Sequence, residues 1–91
     1  MPMSGLISET VATILVIDGE ENLAAVFCNL LSLNGFATLQ AATGHDGLQL
    51  AQLKQPQLIV CDTELPDISG YDVLAGLRSH SATAVIPVIM L

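Results

Sequence analysis

Six of the nine acidic residues follow two apolar runs of the chain, Thr13–Ile17 and Leu58–Cys61. A carboxylate directly after a buried segment is unfavourable unless it lies at an open edge and binds something there. Clustered carboxylate oxygens are the ligands that a hard cation such as Mg²⁺ prefers, and a bound Mg²⁺ leaves room for a phosphate group. The six acidic residues are Asp18, Glu20, Glu21, Asp62, Glu64 and Asp67.

The two apolar runs belong to an alternation of strand and helix patterns. Both runs are short and rich in β-branched residues, as expected of strands that a parallel sheet buries on both faces. Further strands are predicted over 36–41 and 88–91, and helices over 21–34, 44–54 and 71–79. This β-α-β-α-β-α-β order with short connections implies right-handed crossovers and a largely parallel sheet, which is an α/β fold.

The helical segments carry apolar residues at helical spacing, which predicts one apolar face for each helix. For the first helix the predicted face is Leu23, Val26, Phe27, Leu30 and Leu31. For the second and third helices the predicted inward residues are Leu48, Leu50, Ala51, Val73, Leu74 and Leu77.

The acidic residues are placed by the order of the strands. Ligands of open parallel sheets bind outside the carboxyl ends of the strands, at the point where the strand order reverses. If the order is 2-1-3-4, the first and third strands are neighbours, so Asp18 and Asp62 face each other with Glu20 and Glu64 nearby. The simpler alternatives are a turn acid at Asp62, a helix N-cap at Asp18 and first-turn helix acids at Glu20 and Glu21.

Three segments of the chain resemble the receiver domain of two-component response regulators. They are ILVIDGEENL (14–23), LIVCDTELPDISGYDVL (58–74) and IPVIML (86–91). The most specific feature is Asp62 at the end of a strand, with Pro66 four and Gly70 eight residues later. The resemblance covers nearly the whole chain after about Val11. It implies a flavodoxin-like doubly wound fold with strand order 2-1-3-4.

The resemblance also implies a site and a set of partners. Asp62 is expected to be the phosphoacceptor, which takes a phosphoryl group from a sensor histidine kinase or a phosphotransfer protein. Mg²⁺ is the expected cofactor, held by the Asp18 and Asp62 side chains and by the backbone carbonyl of Glu64. Glu20 is a further candidate ligand.

Two departures from the family pattern limit these expectations. Gly19 stands where the family has its second acidic residue, so Mg²⁺ binding is expected to be weak. The chain also stops at Leu91, so we expect a flexible arm over 1–12 and a receiver domain over 13–91 that lacks the last strand and the last two helices. Phosphorylation of these 91 residues is therefore expected to fail or to be slow.

Two other functions fit the same residues. A pseudo-receiver would keep the fold as a protein–protein interaction module without phosphorylation, and Gly19 favours this alternative. A Mg²⁺-dependent phosphohydrolase would use Asp62 as its nucleophile and Glu64, two residues later, to protonate the leaving group. The small number of basic residues able to hold a phosphate argues against this enzyme, so we expect a signalling domain and not an enzyme.

Composition excludes further classes. The formal net charge is −7 and Lys54 and Arg78 are the only basic residues, which argues against nucleic-acid binding. The chain is 52% apolar but has no uninterrupted apolar stretch of the length that a membrane span needs. Cys28 and Cys61 lack metal-site spacing and lie in apolar patterns, which favours buried free thiols and a cytoplasmic location. We also expect a homodimer or larger assembly through the strand edge at Val88–Leu91.

Overall fold

The predicted alternation of strands and helices is confirmed in a computed structural model that describes residues 11–91. The strands are β1 (Thr13–Ile17), β2 (Ala37–Ala41), β3 (Leu58–Cys61) and β4 (Val88–Met90), and the helices are α1 (Glu21–Leu33), α2 (Gly44–Lys54) and α3 (Gly70–Arg78). Most of the predicted arm, residues 1–10, lies outside the described residues. Its last residue, Ala12, already contacts the sheet, because its carbonyl accepts the N–H of Ala37 at 2.9 Å.

The four strands form one parallel sheet in the order β2-β1-β3-β4, as predicted. In the register of β1 with β3, Leu15 lies opposite Ile59 and Ile17 lies opposite Cys61. The more polar strand β2 forms one edge of the sheet, and β4 forms the other. The strand order therefore brings the carboxyl ends of β1 and β3 side by side.

Two apolar clusters cover the two faces of the sheet. On one face, Leu15, Ile17 and Ile59 pack against α2 and α3 through Ala51, Val73 and Leu77, and Leu48 and Leu50 are partly buried against them. On the other face, Ile14, Val16 and Val60 pack against Ala24 and Cys28 of α1. Both cysteines are buried free thiols, which confirms that prediction. Among residues 11–91, no helix has the length and apolar character to span a membrane.

The apolar face predicted for α1 is not the face that the sheet buries. Leu23, Val26 and Leu30 are each more than half exposed, and Phe27 lies at the surface as well, whereas the buried residues of α1 are Ala24 and Cys28. Leu31 is the one member of the predicted face that packs against this cluster. Small side chains at positions 24 and 28 let the helix approach the sheet closely, and the larger Leu23 and Phe27 line an open groove beside β1. Ala24 and Cys28 follow helical spacing just as the larger apolar residues do. The size of the side chains therefore determines which of the two sets the helix buries.

The two faces of α1 can be told apart by substitution. Ala24→Leu adds volume to a site that is 1% exposed, and we expect it to lower the free energy of unfolding by about 1–3 kcal/mol. Leu30→Gln changes a side chain that is 54% exposed, and we expect an effect within about 0.5 kcal/mol. Urea denaturation of both variants measures the difference. The reverse ranking would restore the face predicted from the sequence.

Candidate functional site

The predicted juxtaposition of Asp18 and Asp62 follows directly from the sheet. The N–H of Asp62 donates to the carbonyl of Ile17 at 2.9 Å, and the N–H of Asp18 donates to the carbonyl of Ala41 at 3.0 Å. Because Ile17 lies opposite Cys61, the next residues of both strands are neighbours at a strand spacing of about 4.8 Å. We call the edge formed by the carboxyl ends of β1 and β3 the carboxyl rim. Both aspartates are partly exposed there.

Each aspartate is held by the same local hydrogen bond. Asp18 Oδ1 accepts the N–H of Glu20 at 2.9 Å, and Asp62 Oδ1 accepts the N–H of Glu64 at 3.1 Å. The turn role considered for Asp62 is therefore present. The N-cap role considered for Asp18 is wrong, because Glu20 occupies the N-cap of α1 and makes no side-chain cap bond. Both turn bonds use the Oδ1 atom, so neither of them engages the Oδ2 atoms.

The pKa of Cys61, which directly precedes Asp62, is raised by burial and by the negative charge of the carboxyl rim. Burial raises the pKa of Cys61 to about 11, and the charges of Asp62 and Asp18 add to the increase. The thiol donates to the carbonyl of Asp62 at 3.3 Å. Cys61 is therefore protonated at neutral pH and is not a nucleophile.

Gly70 packs directly against the backbone of Asp62. A Cβ atom at position 70 would lie 2.1 Å from the carbonyl oxygen of Asp62 and 2.8 Å from the Cα of Thr63. The N–H of Gly70 also donates to the carbonyl of Thr63 at 2.9 Å. The spacing of Asp62 and Gly70 is therefore a packing requirement, because only a residue without a side chain lets α3 begin this close to the strand end.

Asp67 binds the start of α2, a role that its position in the sequence did not indicate. Its Oδ1 accepts the N–H of Gly44 at 2.8 Å, and its Oδ2 accepts the N–H of His45 at 2.9 Å. The backbone N–H of His45 holds the pKa of Asp67 well below its ordinary value, and the N–H of Gly44 acts in the same direction. Ionised Asp67 thus stabilises the fold at neutral pH, and this contribution is lost as the pH falls through the acidic range. The sequence showed a helix start at Gly44 but not which distant acid would reach it.

The acidic residues provide few ligands for a cation. Among residues 11–91, no group of three or more His, Cys, Asp or Glu side chains is placed to hold a metal ion. Glu20 is exposed on the first turn beyond β1, and its assignment as a ligand stays a prediction. Gly19 has no side chain to contribute, and a Cβ atom there would lie 3.0 Å from Pro66 Cδ. Asp18, Asp62 and the Glu64 carbonyl remain as a donor set for a hard cation, with most of its coordination left to water.

Comparison with known proteins gives the family. Residues 14–91 match the response regulator receiver domain family. The fold matches chemotaxis response regulator CheY4 of Vibrio cholerae with a TM-score of 0.85 and 25% identity, over 89% of this chain and 68% of that one. It matches the N-terminal domain of a response regulator receiver protein from Methanoculleus marisnigri with a TM-score of 0.84 and 28% identity, over 89% and 66% of the two chains.

Curated relatives agree. The transcriptional regulatory protein KdpE of Mycobacterium tuberculosis is 37% identical over 73 residues, which cover 80% of this chain and 32% of the relative. The polar-differentiation response regulator DivK of Brucella ovis is 34% identical over 80 residues, which cover 88% of this chain and 64% of the relative. The chain thus spans about a third of the length of one relative and under two thirds of the other. With its family match, its strand order and the paired aspartates of its carboxyl rim, the chain belongs to the response regulator receiver domain family.

Proposed function

We propose that residues 13–91 act as a phosphoacceptor receiver domain and that Asp62 takes the phosphoryl group. The observation that carries the proposal is the placement of Asp62 at the carboxyl rim beside Asp18, with its Oδ1 atom held by the N–H of Glu64. This hydrogen bond fixes the orientation of the carboxylate and leaves its Oδ2 atom for an incoming group.

The donor is a phosphohistidine of a sensor histidine kinase or a phosphotransfer protein. An Asp62 carboxylate oxygen forms the new bond to phosphorus while the phosphorus–nitrogen bond breaks, and the imidazole leaves with the electron pair and takes up a proton. The product is an aspartyl phosphate. Because receiver domains are signalling domains, this transfer serves signalling and not turnover of a substrate. The two buried free cysteines fit a reducing compartment, and we place the domain in the cytoplasm.

A specific observation favours a second candidate, the phosphorylation-independent pseudo-receiver. Gly19 removes one acidic side chain from the carboxyl rim, and the Pro66 ring lies against the space that this side chain would enter. A domain of this kind would keep the fold and the binding surface without the transfer. Nothing in the geometry favours the phosphohydrolase in the same way, since the N–H of Glu64 binds Asp62 and its side chain is exposed.

Phosphoryl transfer can be tested with acetyl phosphate and Mg²⁺, followed by intact-mass measurement at short intervals. We expect slow and incomplete addition of one phosphoryl group, because Asp62 is available while few cationic contacts stabilise the developing charge. Asp62→Asn should abolish the adduct. The matched control is Asp72→Asn, which removes the same charge from an exposed position of α3 and should label like the unmodified chain. Equal mass spectra for the unmodified chain and Asp62→Asn would favour the pseudo-receiver.

We propose that Mg²⁺ binds at the carboxyl rim through Asp18, Asp62 and the backbone carbonyl of Glu64, with Glu20 as a further candidate. When bound, the ion reduces the repulsion between the Asp62 carboxylate and the phosphoryl oxygens. The small donor set supports weak binding, since an octahedral ion would keep several of its waters.

Calorimetric titration tests the metal proposal. We expect little heat at sub-millimolar Mg²⁺ for the unmodified chain and tighter binding for Gly19→Asp, which adds a carboxylate between Asp18 and Glu20. The added Cβ atom requires the Pro66 ring to shift by a few tenths of an ångström. Gly19→Ala adds the same steric demand without the carboxylate and serves as the control. Tight binding by the unmodified chain, or no gain from Gly19→Asp, would contradict this donor set.

We also propose self-association through the free edge of β4. Within the described residues β4 pairs only with β3, and Ile89 and Leu91 are 48% and 63% exposed. Unpaired strand edges with apolar side chains bind other strands, and an antiparallel pair of β4 strands about a two-fold axis would satisfy both copies.

Light scattering at low micromolar concentration tests the association. We expect a dimer or larger species for the unmodified chain, and a shift toward the monomer for Ile89→Lys, because a charge on an edge strand opposes pairing. Val85→Lys, at an exposed position before β4, changes the charge equally and should leave the assembly unaltered. A clean 9.5 kDa species for the unmodified chain would rule out the dimer.

A further inference from the structure

The β3–α3 loop, residues 62–69, is hydrogen-bonded to the first turn of α2 through one carboxylate, that of Asp67. The Asp67 hydrogen bonds to Gly44 and His45 link residues that are 23 and 22 positions apart in the chain. Asp67 lies at the surface, and its side chain is 25% exposed. The Asp67 carboxylate also lies 2.7 Å from Nδ1 of His45, but that imidazole is 70% exposed and contributes a charge only when protonated. The two backbone bonds are therefore the main connection.

The helix has a second, local cap that does not involve the loop. Thr43 is the N-cap of α2, and its hydroxyl accepts the N–H of Asp46 at 3.1 Å. Thr43 and Asp67 thus share the free N–H groups of one helix start, and both lie at its positive dipole end. Of these two capping side chains, only that of Asp67 comes from another part of the fold. Comparing these two residues separates capping from positioning.

The neighbours of Asp67 in the chain fix the same loop. The Pro66 ring lies next to Gly19, since a Cβ atom added at Gly19 would lie 3.0 Å from Pro66 Cδ. Ile68 fills the space above Gly44, because a Cβ atom there would lie 2.5 Å from Ile68 Cγ1. Three consecutive loop residues therefore contact the β1–α1 turn and α2, and the carboxylate of the central one makes the directional bonds.

The same loop carries the group that orients Asp62. Glu64 lies three residues before Asp67, and its N–H holds Asp62 Oδ1. We propose that Asp67 is a positioning residue, which anchors the β3–α3 loop to α2 and thereby keeps the Glu64 N–H on the Asp62 carboxylate. We call this connection the Asp67 latch. Its relevance to phosphoryl transfer rests on the proposed function, whereas its effect on the loop does not.

The latch is tested by amide hydrogen exchange of Glu64 in Asp67→Asn and Thr43→Ala. In Asp67→Asn, the side-chain NH₂ group faces one of the two backbone N–H donors and cannot accept a hydrogen bond from it. One hydrogen bond is therefore lost, and the other is made to a neutral amide oxygen instead of a carboxylate oxygen. We expect Glu64 exchange to rise about tenfold in Asp67→Asn, the factor given by one lost hydrogen bond to a charged group. Thr43→Ala weakens the same helix start without touching the loop, so Glu64 exchange should stay unchanged. Asp72→Asn controls for the loss of charge.

A functional measurement accompanies the exchange experiment. The Glu64 amide shift is followed while Mg²⁺ is added, and the half-saturating concentration should rise several-fold in Asp67→Asn but not in Thr43→Ala. If the unmodified chain binds no Mg²⁺ and accepts no phosphoryl group, the proposed function fails while the exchange result still decides the latch. Equal Glu64 exchange in Asp67→Asn and Thr43→Ala would show that Asp67 only caps the helix.

The unmodified chain gives a test that does not depend on a variant folding. If the latch is one unit, the amides of His45 and Glu64 become exposed in the same opening event and show the same dependence on low urea concentrations. The amide of Asp46, which binds only the local Thr43 cap, need not follow them. Opening of the His45 amide without opening of the Glu64 amide would overturn the proposal.

Discussion

The parallel pairing of β1 with β3 is the constraint on which the rest of this site depends. It aligns Ile17 with Cys61 and carries the next residues, Asp18 and Asp62, out of the buried sheet at the same level. The hydrogen bond from the Asp62 N–H to the Ile17 carbonyl continues the ladder to the last residue before the turn. A slip of one residue would send one carboxylate into the apolar cluster, where an ionised group is strongly unfavourable. The apolar strands therefore keep the acidic residues at the carboxyl rim.

A carboxylate at a strand end still needs polar partners, and the turns after β1 and β3 supply them. Each turn directs the N–H of the residue two positions later to the Oδ1 atom of its aspartate. This bond uses part of the carboxylate and leaves the rest at the surface. Cys61 completes the arrangement, because burial and the two negative charges keep its thiol protonated.

The β3–α3 loop depends on close approaches that side chains would prevent. Gly70 lets α3 begin against the Asp62 carbonyl, and Gly44 makes room for Ile68 at the start of α2. These contacts bring Asp67 within reach of the α2 N–H groups. The loop that follows Asp62 is held by contacts with two helices and one turn, so its shape depends on elements that are distant in the chain.

The strand order, and with it the pairing of Asp18 and Asp62, was implied by the resemblance to receiver domains, whereas the alternation of strands and helices, the bounds of most elements and the acids after β1 and β3 could be predicted from the sequence itself. These last features depend on local patterns: uniformly apolar runs, helical spacing, turn residues and an acid that directly follows a strand. The face of α1 could not be predicted, because two stripes share the helical period and only packing shows that Ala24 and Cys28 fit the sheet while Leu23 and Leu30 do not. The bonds from Asp67 to Gly44 and His45 were equally hidden. They join residues more than twenty positions apart, and such a contact is decided by how the loop folds over the helix, which only the tertiary structure determines.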